Sequence, residues 1–208
     1  MYARQDYIQQ FFQKVQSYYP MSNKAFDLLQ KIIHFEEIKA GELLLPFGKI
    51  AKYKYFICQG AVIAYFIDEK GNLYNKNIFL ENDIAGSMVS AILQKPSQFE
   101  LQAVENSVII CIDYQKYRKL IEEHSEFKNF YIAYLEKNWV IDKEKREIAI
   151  VMQEASERYQ KLLEQHPNLE KHISLKNIAL HLGITPTQLS RIRKKLKNSP
   201  PINICKDL

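Results

Sequence analysis

A series of short apolar segments in the first half of the chain constrains its fold more than any other feature. The segments are rich in β-branched and aromatic residues, and they cover residues 43–45, 53–58, 62–67, 73–79 and 101–112. Glycine- and proline-containing turns separate them, as at residues 46–48, 59–60 and 70–72. Short strands with turns at regular intervals predict an antiparallel β-barrel or sandwich.

Helical periodicity flanks this β-rich region on both sides. Residues 4–33 predict two helices separated by Pro20, with Ser22 as the N-cap of the second. Residues 114–123 predict a short helix, and a longer one is expected from Ser125 to residue 165. Apolar residues recur along it at spacings of four and three, which predicts either a dimer seam or packing on its own barrel. Its length favours the dimer, because such a helix is longer than the barrel requires.

The positive charge of the chain is concentrated in its last quarter. Residues 1–155 carry 19 Lys or Arg and 20 Asp or Glu, whereas residues 156–208 carry 10 and 4, a net charge of +6. A basic segment on a nearly neutral body is typical of nucleic-acid binding. A solvated basic tail is the alternative.

Two short helices that meet at a tight turn are predicted at residues 175–182 and 186–197. Ala179 is small enough for a close helix contact, and Gly183 can adopt the left-handed conformation that ends the first helix. Thr185 can cap the second helix, with Pro186 at its first position. The apolar residues expected on the buried faces are Ile178, Leu182, Ile184, Leu189 and Ile192. The pattern indicates a helix-turn-helix.

The second of these helices is expected to expose side chains that can contact DNA. The candidates are Thr185, Thr187, Gln188, Ser190, Arg191, Arg193, Lys194 and Lys195. Arg pairs with guanine and Gln with adenine, while Ser, Thr and Lys bind phosphates. Double-stranded DNA is therefore the predicted partner.

The order of these parts resembles the Crp/Fnr family of bacterial transcription regulators. The resemblance is carried by residues 178–195, by the Tyr55-Phe-Ile-Cys-Gln-Gly-Ala-Val62 segment and by Gly71. Within the family, residues 178–195 are similar to those of short Bacteroidetes-type members. It implies an α+β fold with an antiparallel β-barrel, a cyclic-nucleotide-binding-like double-stranded β-helix. The implied units are a sensor domain (residues 1–124), a long dimerisation helix (125–155) and a C-terminal helix-turn-helix domain (156–208). A homodimer follows, with RNA polymerase and an unidentified small-molecule effector as further candidate partners.

The resemblance also places a ligand cassette between Asp83 and Val104, at Gly86, Ser87, Met88, Ser97 and Gln98. Relatives that bind cyclic AMP have a Glu where Ser87 stands and an Arg where Ser97 or Gln98 stands. Lys95 is the only basic residue within residues 77–115. Because a buried phosphate without a guanidinium partner is costly, we expect no response to cyclic nucleotides.

The DNA-reading helix departs from the family pattern as well. Pro186 and Thr187 stand where the cyclic AMP receptor has a base-reading Arg and Glu, whereas Arg191 matches a base-reading Arg of the family. We therefore expect a DNA target different from that of the receptor.

Neither a metal site nor a cofactor is predicted. Cys58, Cys111 and Cys205 are far apart without a CxxC motif, which favours a reduced, cytoplasmic protein. His34 is the only histidine in the β-rich region and is interpreted as structural, and the other histidines lack ligand spacing. Residues 1–13 do not suggest a signal peptide, and no apolar stretch is long enough for a membrane span.

Of three functional alternatives to an effector-controlled regulator, two remain open. The chain has no P-loop, GxGxxG or nucleophile-elbow motif, so an enzyme is not expected. A ligand-sensing dimeric interaction module without DNA binding is the main alternative to a regulator. A regulator without any effector is also open, because Phe56, Ile63, Phe66, Ile78 and Phe79 could fill the barrel interior.

Overall fold

Two short helices open the part of the chain that this computed structural model describes, residues 4–198. They are α1 (Arg4–Gln16) and α2 (Asn23–Gln30). The Ser22 hydroxyl accepts a hydrogen bond from the Ala25 amide, which confirms the predicted N-cap of α2. Pro20 lies between the two helices, as expected from its missing N–H.

Eight strands follow and form two antiparallel sheets, which confirms the predicted architecture. They are β1 (Ile33–Ile38), β2 (Leu43–Leu45), β3 (Tyr53–Gln59), β4 (Val62–Ile67), β5 (Leu73–Phe79), β6 (Ile84–Ala85), β7 (Glu100–Ala103) and β8 (Ser107–Asp113). The strand order is β1-β8-β3-β6 in one sheet and β2-β7-β4-β5 in the other.

The register of the first sheet decides which residues face the N-terminal helices. Phe35, Ile110 and Phe56 lie opposite one another on β1, β8 and β3. The Phe56 ring packs 5.0 Å from that of Phe11 in α1, so this row faces the helices. The next row, His34, Cys111 and Tyr55, points to the other face because side chains alternate along a strand.

Three of the apolar residues that were candidates to fill the barrel interior pack elsewhere. Phe56 packs against α1, and Ile63 and Ile78 pack in a second cluster with the C-terminal helices. Strand alternation is the reason, because it sends half of the apolar side chains to the outer faces of the sheets.

Three local features of the β-rich region differ from the sequence prediction. Residues 33–38 form β1, a strand that was not predicted and that includes Ile33 from the segment expected to be helical, and residues 101–112 form two strands rather than one. The turn between β7 and β8 is tied to neighbouring segments, since the Val104 amide donates to the Ala61 carbonyl and the Asn106 side chain accepts from the Ala40 amide. A short helix, α3 (Met88–Leu93), was not predicted.

The expected long helix is interrupted twice. After α4 (Tyr114–Glu123), α5 (Ser125–Leu135) continues through a π-helical turn (Glu136–Ile141) into α6 (Asp142–Met152). Gln153 then adopts an extended conformation with φ −115° and ψ 140°. Glu154 and Glu157 form a capping box that starts α7 (Ala155–Gln165). The prediction of one helix up to residue 165 was therefore wrong, because local capping competes with continued helix.

The two halves of this helical segment differ in burial. Phe127, Phe130 and Tyr134 of α5 are buried against the sheets and α4. By contrast, α6 buries none of its residues within the chain. The N-terminal half thus packs on its own barrel, whereas the C-terminal half has no intrachain core.

The C-terminal helices build a second apolar cluster against the second sheet. They are α7, α8 (Leu169–His172), α9 (Leu175–Leu182) and α10 (Pro186–Asn198). Tyr159, Leu169 and Ile173 join Ile63 and Tyr65 of β4 in this cluster. Residues 199–208 lie outside the described part of the chain. Among the helices of residues 4–198, none combines the length and the apolar character that a membrane crossing requires.

Candidate functional site

The turn between α9 and α10 has the conformation that its sequence predicts. The Ser174 hydroxyl accepts from the Asn177 amide and begins α9. Gly183 ends it at φ 70° and ψ 30°, a left-handed conformation that favours glycine. The Ile184 amide then donates to the Ala179 carbonyl over 3.0 Å, which closes the turn.

The two helices bury the faces that the apolar pattern indicated. Ile178, Ala179 and Leu182 of α9 and Leu189 of α10 are buried, and Ile192 is partly buried against the same cluster. Ala179 is fully buried, as expected for a position that admits only a small side chain. This packing fixes which side of α10 faces solvent.

The solvent face of α10 is polar and basic. The exposed predicted residues of the turn and helix are Thr185, Thr187, Gln188, Ser190, Arg191, Lys194 and Lys195. Lys197 is also exposed, and the helix sequence contains no acidic residue. Such a face can bind phosphates through its lysines and base edges through Arg191.

Arg193, one of the residues predicted to contact DNA, forms an ion pair within the chain instead. Its guanidinium forms two hydrogen bonds of 2.8 Å with the Glu170 carboxylate, a bidentate ion pair between α10 and α8. The Tyr159 hydroxyl donates to the same carboxylate. Burial alone would raise the pKa of Glu170, but the hydrogen bonds from Tyr159 and Arg193 outweigh it and hold the pKa below its usual value. Tyr159 and Glu170 were not predicted, because they lie 34 and 23 residues away from Arg193 along the chain.

Thr185 and Gln188 form a reciprocal cap at the start of α10. The backbone N–H of Gln188 donates to the Thr185 hydroxyl over 3.2 Å, and the backbone N–H of Thr185 donates to the Gln188 side-chain oxygen over 2.8 Å. This is the capping-box arrangement. Only the side-chain NH₂ of Gln188 is then available to donate outward, whereas bidentate pairing with adenine needs the oxygen as well.

The structure brings the two serines of the predicted ligand cassette together. Ser87 and Ser97 are 3% and 2% exposed, and their hydroxyl oxygens are hydrogen-bonded at 3.0 Å. The Ser97 hydroxyl also donates to the Phe99 carbonyl. Two cassette positions are thus occupied by small, neutral side chains that are hydrogen-bonded to each other.

The remaining cassette residues differ in their surroundings. Gly86 lies beside Lys54, Met88 is buried at the start of α3, and Gln98 is exposed. The backbone of Ser97 exchanges hydrogen bonds with Gly48 and Lys49 in the loop after β2. An open groove of about 540 Å³ lies next to this contact, with Lys49, Lys52, Tyr53 and Pro96 among its lining residues.

The helical pair docks on the second sheet through polar contacts as well as the apolar cluster. The Asn75 side chain of β5 donates to the Asn177 carbonyl over 3.0 Å, and the His181 Nδ1 lies 3.3 Å from the Asn75 carbonyl oxygen. Burial lowers the pKa of His181. His172 pairs with Glu105, with 2.7 Å between Nδ1 and Oε1. Neither pair was predicted, because each joins residues more than 60 positions apart.

Part of the chain matches a known protein family at the sequence level. Residues 35–124 match the family model of the cyclic nucleotide-binding domain. No curated protein matches the chain at the sequence level.

Solved structures of similar fold cover most of the chain. FixK2 from Bradyrhizobium japonicum superposes with a TM-score of 0.66 at 16% identity, covering 80% of this chain and 85% of that one. A protein from Eubacterium rectale assigned to the Crp/Fnr family of transcriptional regulators gives 0.62 at 16% identity, covering 87% and 88%. The catabolite activator protein of Thermus thermophilus gives 0.53 at 14% identity, covering 90% and 91%. Residues 35–124 therefore resemble a cyclic nucleotide-binding domain, and the chain has the fold of these solved regulators of the Crp/Fnr type.

Proposed function

We propose that the chain is a sequence-specific, DNA-binding transcription regulator of the cytoplasm rather than an enzyme. The exposed basic face of α10, presented by a glycine turn on a packed partner helix, carries this proposal. An α-helix fits the major groove of B-DNA, and the second helix of a helix-turn-helix unit enters it with its N-terminal residues at the base edges. The similar fold of known transcription regulators supports the same conclusion.

Different α10 residues would have different tasks on DNA. Arg191 is exposed and has no ion pair within residues 4–198, so it is our candidate for reading a base edge. Lys194, Lys195 and Lys197 would bind phosphates. The Arg193–Glu170 ion pair favours a role for Arg193 in holding α10 against α8 instead. Thr187 and Ser190 are exposed on the same helix and would contact the DNA backbone.

A homodimer would place two copies of α10 in a two-fold symmetric arrangement. Exposed apolar side chains follow one another from α5 to α6, and they are Ile132, Trp139, Val140, Ile141, Ile148, Ile150, Val151 and Met152. The π-helical turn adds one residue to the helix and therefore rotates the following side chains by about 100°. This rotation brings Ile148 and Val151 toward the side of Ile132 and Trp139. Burial of this surface against a second copy would remove it from water.

The cassette supports a regulator that does not respond to cyclic nucleotides. A cyclic phosphate buried beside Ser87 and Ser97 would meet two hydroxyls and no guanidinium, and Lys95 is exposed. The desolvation cost of the phosphate would therefore not be offset. A different small molecule and RNA polymerase remain candidate partners in this proposal.

The test is selection of bound fragments from a random DNA pool by the purified full chain, without ligand and at two salt concentrations. We expect an enriched two-fold symmetric motif with half-sites about 34 Å apart, one turn of the double helix. The Arg191→Ala variant should lose enrichment at one base of each half-site. Lys116→Ala, which removes an exposed lysine from α4, is the matched control and should select the same motif as the unchanged chain.

The other results of the selection are also decisive. Salt-sensitive binding without a motif would contradict specific recognition by the free protein. Absence of binding at both salt concentrations would favour the interaction module without DNA binding. An unchanged motif in the Arg191→Ala variant would show that another residue reads that base.

A further inference from the structure

Three side chains of different chemistry meet on adjacent strands β1 and β8. His34 lies directly opposite Cys111 in the antiparallel register, and Glu36 follows His34 by two positions on the same face of β1. The His34 Nε2 and the Glu36 Oε1 are 3.0 Å apart. The imidazole nitrogen, the carboxylate oxygen and the Cys111 sulfur all lie within 4.8 Å of one another.

We propose that His34, Glu36 and Cys111 bind a divalent transition-metal ion of the zinc type. One nitrogen, one oxygen and one sulfur donor form a set that Zn²⁺ accepts, whereas Mg²⁺ and Ca²⁺ prefer oxygen donors alone. The ion replaces the Cys111 thiol proton, which leaves to solvent as the sulfur becomes a thiolate ligand. Three protein ligands leave the fourth tetrahedral position to a water molecule or to a small donor from solution.

The geometry requires only a modest adjustment. Donor atoms of a tetrahedral site with bonds of about 2.0–2.3 Å are about 3.3–3.8 Å apart. Cys111 is held in the core at 1% exposure, so the movement falls to the other two ligands. The side chains of His34 and Glu36 are 46% and 44% exposed, and β1 is at the edge of its sheet. Side-chain rotation on this open edge can close the remaining distance.

The surroundings favour both access and orientation. The exposed His34 and Glu36 give an ion a path from solvent to the buried sulfur. The Tyr53 ring packs edge-on against the His34 ring at 5.2 Å between centroids, which restrains the imidazole. A bound ion would connect the edge strand β1 to β8 and so stabilise that edge. This site is separate from α10, and the inference does not depend on DNA binding.

Cobalt titration of the metal-free full chain tests the site, because Co²⁺ reports its own ligands spectroscopically. The background carries Cys205→Ser, which removes the cysteine outside the described residues. We expect one Co²⁺ per chain with a sulfur-to-cobalt charge-transfer band, which Zn²⁺ displaces and Mg²⁺ does not. Cys111→Ser should abolish the band, and His34→Ala and Glu36→Gln should each weaken Co²⁺ binding at least ~10-fold.

Cys58→Ser is the matched control, since Cys58 is a buried thiol on neighbouring β3 outside the three-residue cluster. It should keep the band and the affinity. Zn²⁺ should also raise the unfolding temperature of the background protein but not that of the His34→Ala variant. This variant should still fold, because His34 is exposed. The inference is overturned if no saturable band appears, if the band survives Cys111→Ser, or if His34→Ala and Glu36→Gln bind Co²⁺ as tightly as the background.

Discussion

At the scale of single residues, Lys54 departs most from what its chemistry favours. Its side chain is buried, and it has no ion pair among residues 4–198. Burial lowers the pKa of Lys54 to about 7 from the usual 10.5. The Tyr134 ring lies 3.9 Å and the Tyr117 ring 5.5 Å from the ammonium, and cation–π attraction offsets part of the cost of burying the charge.

Replacement of Lys54 by Met should raise the free energy of unfolding at pH 7. The folded protein releases the Lys54 proton near pH 7, whereas the unfolded chain keeps it up to pH 10.5, so the wild type gains stability from this group as the pH rises between these values. Met has a similar shape without the charge. We therefore expect the free energy of unfolding of Lys54→Met to exceed that of the wild type by on the order of 1–3 kcal/mol at pH 7. This difference should shrink as the pH rises from 7 to 9, because the wild type gains stability over that range.

Chemical denaturation of both proteins at pH 7, 8 and 9 measures this difference. Lys52→Met, two residues away and exposed, is the control and should follow the wild-type pH profile. Parallel pH profiles for Lys54→Met and wild type would show that Lys54 is protonated in both folded and unfolded chains across this range.

Two basic residues of α10 should respond differently to the same truncation. Arg191→Ala should cost about 1–3 kcal/mol of binding free energy on the preferred DNA sequence and relax preference at one base pair. Lys195→Ala should weaken binding to all sequences alike and lower the slope of log affinity against log salt by about 1. Binding isotherms on specific and scrambled duplexes at several salt concentrations distinguish the two, and the reverse pattern would contradict the assigned tasks.

At the scale of elements, α5 and α6 differ in burial on the two sides of the π-helical turn. α5 buries Phe127, Phe130 and Tyr134 against its own domain, while α6 buries nothing within the chain. An element without an intrachain core gains little stability from packing in a monomer. The exposed apolar side chains of α6 therefore need a partner surface, which a second copy would supply.

Val151→Glu should prevent formation of the proposed dimer without unfolding the monomer. Val151 is 82% exposed, so the new carboxylate is solvated in a monomer but would be buried at a dimer seam. Analytical ultracentrifugation should show a shift to monomer at concentrations where the wild type is dimeric. Phe47→Glu, at an exposed apolar residue in the loop after β2, is the control and should stay dimeric. A dimeric Val151→Glu protein would place the interface elsewhere.

At the scale of the whole molecule, the second apolar cluster joins the barrel to the C-terminal helices. Ile63 of β4 packs in the cluster that also contains Ile173, Ile178 and Leu182. The Glu105–His172 pair and the Asn75–Asn177 hydrogen bond flank it. A change in the barrel that moves β4 or β5 would therefore alter the contacts of α9, which packs against α10.

Ile63→Ala should loosen this docking more than it loosens the barrel. Ile63 is 4% exposed, and removal of its buried methyl groups should cost about 2–5 kcal/mol, including the cavity. Hydrogen exchange should accelerate most in α9, with a smaller effect on β3 and β8. Ile110→Ala makes a similar cavity under α1 and is the control, with its largest effect on β8 and α1. Equal acceleration throughout the chain in both variants would show that barrel and helices unfold together.

Much of the fold and part of the site could be predicted from local chemistry. Four strands and the α9–α10 turn follow from patterns complete within a few residues, such as Gly183 with Thr185 and Pro186. The strand β1 was missed because its residues Ile33–Ile38 do not alternate clearly between apolar and polar. The break at Gln153 was missed because the Glu154–Glu157 capping box begins with Glu, which is not a preferred N-cap.

The sequence by itself determined the order of the elements, the turn chemistry and the concentration of charge on the last helices, because each depends on neighbours along the chain. Only the tertiary structure decided that Arg193 pairs with Glu170, that Ser87 meets Ser97 and that His34 and Glu36 lie beside Cys111. No metal site was predicted from the sequence, because His34 and Cys111 are 77 positions apart and carry no motif. Strand register and helix packing create such neighbours, and these depend on the whole folded chain rather than on any local pattern.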